Sequence, residues 1–90
     1  MRERLRKRIV RKAGILGGKP VIRGTRISVE FVLGLLSKGM TIEGILSEYP
    51  HLTKEDILAC LGYAEDMVKH EELIVPGETY PIRTGPSDKV

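Results

Sequence analysis

The stretch TIEGILSEYPHLTKEDILACLGYA, Thr41 to Ala64, carries two helix starts separated by a tight break. Thr41 can cap the first start, because a threonine oxygen there accepts an otherwise unpaired amide of the first turn. Met40 and Ile45 stand at the two positions of a hydrophobic staple. Ile42, Ile45, Leu46 and Tyr49 then recur at helical spacing. Pro50 ends the run, since its ring cannot continue a helix. Thr53 can cap the next helix, and Asp56 stands where the reciprocal partner of a capping box belongs. Leu52 and Ile57 supply a second staple. Ile57, Leu61, Ala64 and Val68 are expected to line one face of a helix ending near His70 or Leu73. Gly62 weakens that helix without ending it. A short helix, a turn around Pro50-His51-Leu52 and a longer helix form a helix-turn-helix pattern. Generic helical hairpins share it.

Upstream, Ser28 can cap another helix, with Glu30 in its first turn where a negative charge suits the dipole. Val29, Val32, Leu33 and Leu36 give its stripe, and Gly39 its stop. Before it, the pairs Ile9-Val10, Ile15-Leu16 and Val21-Ile22 are separated by Gly17-Gly18 and followed by Gly24. β-Branched residues between such breaks predict short strands and a hairpin. Pro20 favours an edge, because it cannot donate to a ladder. The expected fold is therefore mainly α: an N-terminal β-hairpin followed by a three-helix, homeodomain-like helix-turn-helix unit. The expected organisation is a basic arm over residues 1–8, a domain over 9–75 and an extended tail over 76–90. The tail carries the breakers Pro81, Gly85 and Pro86.

At 90 residues the chain has room for one domain, and with one Phe, three Tyr and no Trp its core must be aliphatic. A domain this small buries a modest share of its surface, so a partner chain often helps stabilise it, and the unpaired edge of a short Ile/Val-rich strand points to two hairpins pairing across a two-fold axis. The start, MRERLRKR, lacks the apolar run of a signal peptide, and no stretch is long enough to span a bilayer. One cysteine, Cys60, excludes an intrachain disulfide. The expectation is a cytoplasmic protein.

Charge is unevenly distributed. Residues 1–26 hold ten basic residues against Glu3 alone, a net +9, which leaves −6 for the rest of a chain whose total is +3. Arg2, Arg4, Arg6, Lys7, Arg8, Arg11 and Lys12 form the start of this excess, and Arg23 and Arg26 follow the second apolar pair. A basic arm on an acidic body points to a polyanion, double-stranded DNA first; a solubilising tail is the plainer alternative. The last helix offers Lys54 near its start but then Glu55, Asp56, Glu65 and Asp66. Carboxylates face phosphates badly, so this helix either reads DNA with help from the arm or packs against a partner. Arg23 and Arg26 either contact phosphates or pair with Glu30 or Glu43.

Other chemistry is thin. Gly17-Gly18-Lys19 fails as a phosphate loop, because position 13 is Ala and position 20 is Pro. His51, His70 and Cys60 are not at ligand spacing, so no metal is expected. No nucleophile stands beside a base. The expectation is a binding protein with no cofactor, and not an enzyme.

From Ile15 to Ala64 the chain resembles domain-of-unknown-function family 433. The resemblance rests on Gly18-Lys19-Pro20-Val21-Ile22-Arg23-Gly24-Thr25-Arg26-Ile27 and on Lys38-Gly39-Met40-Thr41-Ile42-Glu43. It continues through Tyr49-Pro50-His51-Leu52-Thr53 to Asp56-Ile57-Leu58-Ala59 and Tyr63-Ala64. Members commonly carry an acidic residue and Pro where this chain has Lys12, Ala13 and Gly14. The resemblance implies the hairpin and three-helix fold, a homodimer, and an antitoxin-like role beside a small nuclease-like toxin. It implies nothing for the basic start or the tail. From the residues themselves, the expected DNA contacts are Arg2, Arg4, Arg6, Lys7, Arg8, Arg11, Lys12, Arg23, Arg26 and Lys54.

Overall fold

Strand pairing sets the entrance to the domain. In the computed structural model, which describes residues 1–71, β1 (Ile9–Val10) pairs antiparallel with β2 (Val21–Ile22). Ile9 faces Ile22 and Val10 faces Val21. The hairpin is not tight. Its connection turns at Lys12–Ile15, where the Ile15 amide donates to the Lys12 carbonyl at 2.9 Å, and again through a 3-10 turn over Leu16–Gly18. Ile15-Leu16, expected with the strand pairs, therefore forms turns, and Leu16 lies exposed at a positive φ of 48°.

After β2 the chain doubles back at Gly24, whose φ of 81° is one that side chains with a Cβ rarely adopt. Thr25 closes this turn from both sides: its hydroxyl donates to the Ile22 carbonyl and accepts from the Ile27 amide. The Val29 amide then donates to the Pro20 carbonyl at 3.0 Å. Pro20 thus serves as an acceptor at a place where it could not have donated.

The three expected helices are α2 (Val29–Ser37), α3 (Ile42–Glu48) and α4 (Lys54–Glu71), and their expected caps form. Ser28 accepts from the Phe31 amide and Thr41 from the Gly44 amide, each at 2.9 Å. At α4 the capping box is reciprocal: Thr53 donates its amide to Asp56 Oδ2, and the Asp56 amide donates to Thr53 Oγ1. α2 ends in a Schellman motif. Gly39, at φ 99°, donates to Leu36, and Met40 donates to Leu35.

A further helical turn, α1 (Glu3–Arg6), precedes the hairpin and lies against α4. The basic start, expected as a separate arm, is laid on the domain. The Met1 side chain lies over Gly62, where a Cβ would stand 2.8 Å from its sulfur and require that flexible side chain to move.

The core joins Ile22, Val29, Val32, Ile45, Leu52, Ile57 and Cys60. Full burial of each aliphatic side chain favours folding by about 1.5–3 kcal/mol. The stripe expected on α4 was displaced by one position. Ile57 is buried as expected, but Cys60 rather than Leu61 continues into the core; Leu61 is 41% exposed and Val68 67%. At the far side, Phe31 and Tyr49 meet edge to face at 5.8 Å and tie α2 to the end of α3.

Candidate nucleic-acid interface

The ten expected contact residues divide by what else they touch. Arg2, Arg4, Arg6 and Lys7 are exposed along and just after α1. Arg8 turns inward: its Nη1 lies 3.0 Å from Asp56 Oδ1, forty-eight residues away in sequence. Its Nε is buried without a hydrogen-bond partner among the described residues. Arg11 reaches back to α4 and donates to the Tyr63 hydroxyl at 2.8 Å. Arg23 donates from Nε to the Lys7 carbonyl at 2.7 Å, while its amide donates to the Arg8 carbonyl. Lys12 and Arg26 are exposed and line one cleft of about 330 Å³ over Val10 and Val21. Lys54 is exposed at the first residue of α4.

Two expectations are corrected by these contacts. Neither Arg23 nor Arg26 takes the ion pair with Glu30 or Glu43; Lys19 pairs with Glu30 at 3.0 Å instead. Arg23 braces the first segment through a main-chain carbonyl, a partner that carries no side-chain signature. The second correction concerns the acidity of α4. Asp56 is only 7% exposed, with one carboxylate oxygen in the capping box and the other on Arg8. Asp66 lies 3.8 Å from the Met1 ammonium, and Glu65 lies 3.7 Å from Lys69. The carboxylates that would repel phosphates are thus partly matched by cations of this chain, and the exposed first turn presents Lys54 beside Glu55.

The buried groups offer little nucleophilic chemistry. Burial, and then the nearby Asp56 charge, push the Cys60 thiol up to about 12, so it is held as a neutral thiol at ordinary pH. Among the described residues no His, Cys, Asp and Glu cluster could hold a metal ion. No helix among them is long and apolar enough to cross a membrane.

A second surface was not anticipated from the sequence. Pro20 and Leu33 on one side, and Tyr63, Ala64, Met67 and Val68 on the other, bound an apolar groove of about 390 Å³ between α2 and the last turns of α4. Its signal is faint in the sequence: the spacing Ile57, Cys60, Ala64, Met67 continues a core stripe beyond the length that α2 can cover.

These features define a mainly helical domain entered through a two-strand antiparallel hairpin. The chain belongs to the family described as "Protein of unknown function (DUF433)", which matches residues 9–64. It is similar to a DUF433 member protein from Anabaena variabilis ATCC 29413, known from a crystal structure at 2.00 Å resolution. The TM-score is 0.67 and the identity 31%, over 79% of this chain and 70% of that one. It also resembles the uncharacterized protein y4eO of Sinorhizobium fredii (strain NBRC 101917 / NGR234), with 43% identity over 51 residues. That match covers 57% of this chain but only 23% of the relative's length.

Proposed function

We propose that this chain is a DNA-binding transcriptional regulator, the antitoxin of a toxin–antitoxin pair that represses its own operon. The supporting observation is the placement of the basic residues. Arg2, Arg4, Arg6 and Lys7 stand on a segment folded against α4, while Lys12 and Arg26 share an open cleft without competing carboxylates among its lining residues. Such a surface suits a phosphate backbone, whose contacts position a protein and make its affinity fall steeply with salt. Lys54 is the α4 side chain best placed to approach bases from a helix start. The antitoxin role, the homodimer and the nuclease-like partner rest on family resemblance.

Fluorescence anisotropy with labelled duplex DNA across a salt series tests the DNA reading. Lys12→Gln and Arg26→Gln should each weaken binding and lower the salt slope by about one. Binding that ignores both substitutions, or ignores salt, rules the surface out. Charge replacement is a cleaner test than deletion of residues 1–12, because deletion also removes Arg8 from Asp56.

A second reading is a protein-interaction module that neutralises a toxin without binding DNA. It is favoured by the apolar groove along α4, a surface with little use in holding phosphates. No duplex affinity at low salt, together with inhibition of a purified toxin, would select it.

A further inference from the structure

α4 carries a second line of apolar side chains, turned away from the core. Of the six large hydrophobic side chains exposed among the described residues, three, Leu58, Leu61 and Val68, lie on this line. With the exposed Lys54 and Glu65 they step along the helix at intervals of four, three, four and three residues. Such a repeat averages about 3.5 residues, the period that keeps one face of a helix turned toward another helix. Single exposed leucines need no explanation; a continuous exposed line at that period does. The N-terminal segment leaves it open. Met1 meets α4 at Gly62 and Asp66, Arg8 meets it at Asp56 and Arg11 at Tyr63, all on adjoining flanks.

The line is also its own complement. Read backwards, Lys54, Leu58, Leu61 and Glu65 repeat the same four-three-four spacing. A second α4 running antiparallel therefore sets Leu58 against Leu61 and Lys54 against Glu65, each twice about a two-fold axis. Val68 then falls opposite the exposed His51, in the turn before α4. A parallel arrangement would oppose lysine to lysine and glutamate to glutamate, which is penalised. Glu65 lies 3.7 Å from Lys69 on its own helix, but that pair is well exposed and yields readily to a better partner.

We infer that this chain forms a homodimer through the Lys54–Leu58–Leu61–Glu65 face of α4, packed antiparallel on the same face of a second copy. This places the two-fold axis on α4 and not at the β1 edge expected from the sequence. Two leucine pairs make a short seam, smaller than a permanent dimer buries, so association is reversible and depends on concentration. The inference goes beyond the DNA reading and does not rest on it. The two meet at Lys54, because a lysine held by a carboxylate of the second copy is withdrawn from bases. Phosphate contacts then fall to Lys12, Arg26 and the first segment.

Charge exchange tests the pairing. Lys54 and Glu65 are exposed, so exchanging them leaves the core intact. Lys54→Glu makes both ends of the seam acidic, and Glu65→Lys makes both basic. By sedimentation equilibrium, each variant alone should self-associate at least about tenfold more weakly than the native chain. An equimolar mixture of the two should recover a dimer of near-native affinity, since every opposed pair is then of opposite sign. The chain carrying both exchanges should dimerise as the native chain does. A native chain that stays monomeric at about 1 mM overturns the proposal. Single variants that associate as tightly as the native chain also overturn it and move the interface off α4. A mixture that remains monomeric does so as well.

Discussion

The two halves of α4 are made from similar side chains and meet different surroundings. The first half carries Asp56, Ile57, Ala59 and Cys60, all buried, and its start is closed by the Thr53 box and by Arg8. The second half carries Tyr63, Ala64, Met67 and Val68, which bound an open groove. Helix propensity and spacing are comparable along both. The difference is supplied by neighbours: α2, α3 and Arg8 enclose the first half, whereas the second half is met by Met1 at Asp66 and by Arg11 at Tyr63, and its groove side stays open. Helical periodicity therefore identifies a face that can be buried, and tertiary partners decide how far along the helix burial extends.

Substitutions that should behave alike on a bare helix separate the halves. The largest contrast is expected for added bulk. Ala59 is fully buried, so Ala59→Leu should cost about 1–3 kcal/mol through overpacking. Ala64→Leu adds the same atoms at the groove and should stay within about 0.5 kcal/mol. Urea midpoints of the two variants give the comparison; equal costs would mean that the groove is as full as the core.

The next contrast is electrostatic. Asp56→Ala removes both the capping box and the partner of Arg8, and should cost about 1–2 kcal/mol, most of it from the cap. The pair with Arg8 adds less, because about a third of the Arg8 side chain is in water. Asp66→Ala, in the second half, loses a 3.8 Å contact with the Met1 ammonium and should shift the thermal midpoint little. A larger loss at Asp66 would show that the first segment depends on that contact.

The remaining contrast appears only at alkaline pH. The Cys60 thiol is raised from 9.0 to about 12 in the folded chain. Below about pH 9 it is neutral in both states and its contribution is intact. As pH rises from 9 toward 12, the unfolded chain sheds the proton while the folded chain keeps it, so stability falls. Cys60→Ala should flatten that decline in urea midpoints across the alkaline range, even though it lowers the midpoint at neutral pH. A thiol placed in the other half by Ala64→Cys should add no comparable slope.

What the sequence discloses about this fold follows the range of the interactions. Ser28, Thr41, Thr53 with Asp56, and Gly39 act within four residues of themselves, so their roles are legible from spacing alone. The hairpin's strands are legible as β-branched pairs, but choosing Ile9-Val10 over Ile15-Leu16 to meet Val21-Ile22 needs the turn at Lys12–Ile15. The position of the first segment has no local signal in the sequence. Its sequence is so polar that only remote contacts hold it: Met1 over Gly62, Arg8 on Asp56 and Arg23 on a carbonyl of Lys7. The candidate interface shares that limitation. Its charges are visible in the sequence, but nothing local distinguishes Arg8 and Arg11, which are tied to α4, from Lys12 and Arg26, which face a cleft. The stretch expected over 76–90 lies outside the described residues.

Arg8 belongs to two systems at once. It is one of the cations that make the N-terminal segment attractive to a polyanion, and it also steadies the carboxylate that starts α4. A phosphate that draws its guanidinium outward would loosen the opening turn of the longest helix. The start of α4 and the surface of the first segment thus share one side chain, so Arg8 cannot be altered at one without being withdrawn from the other.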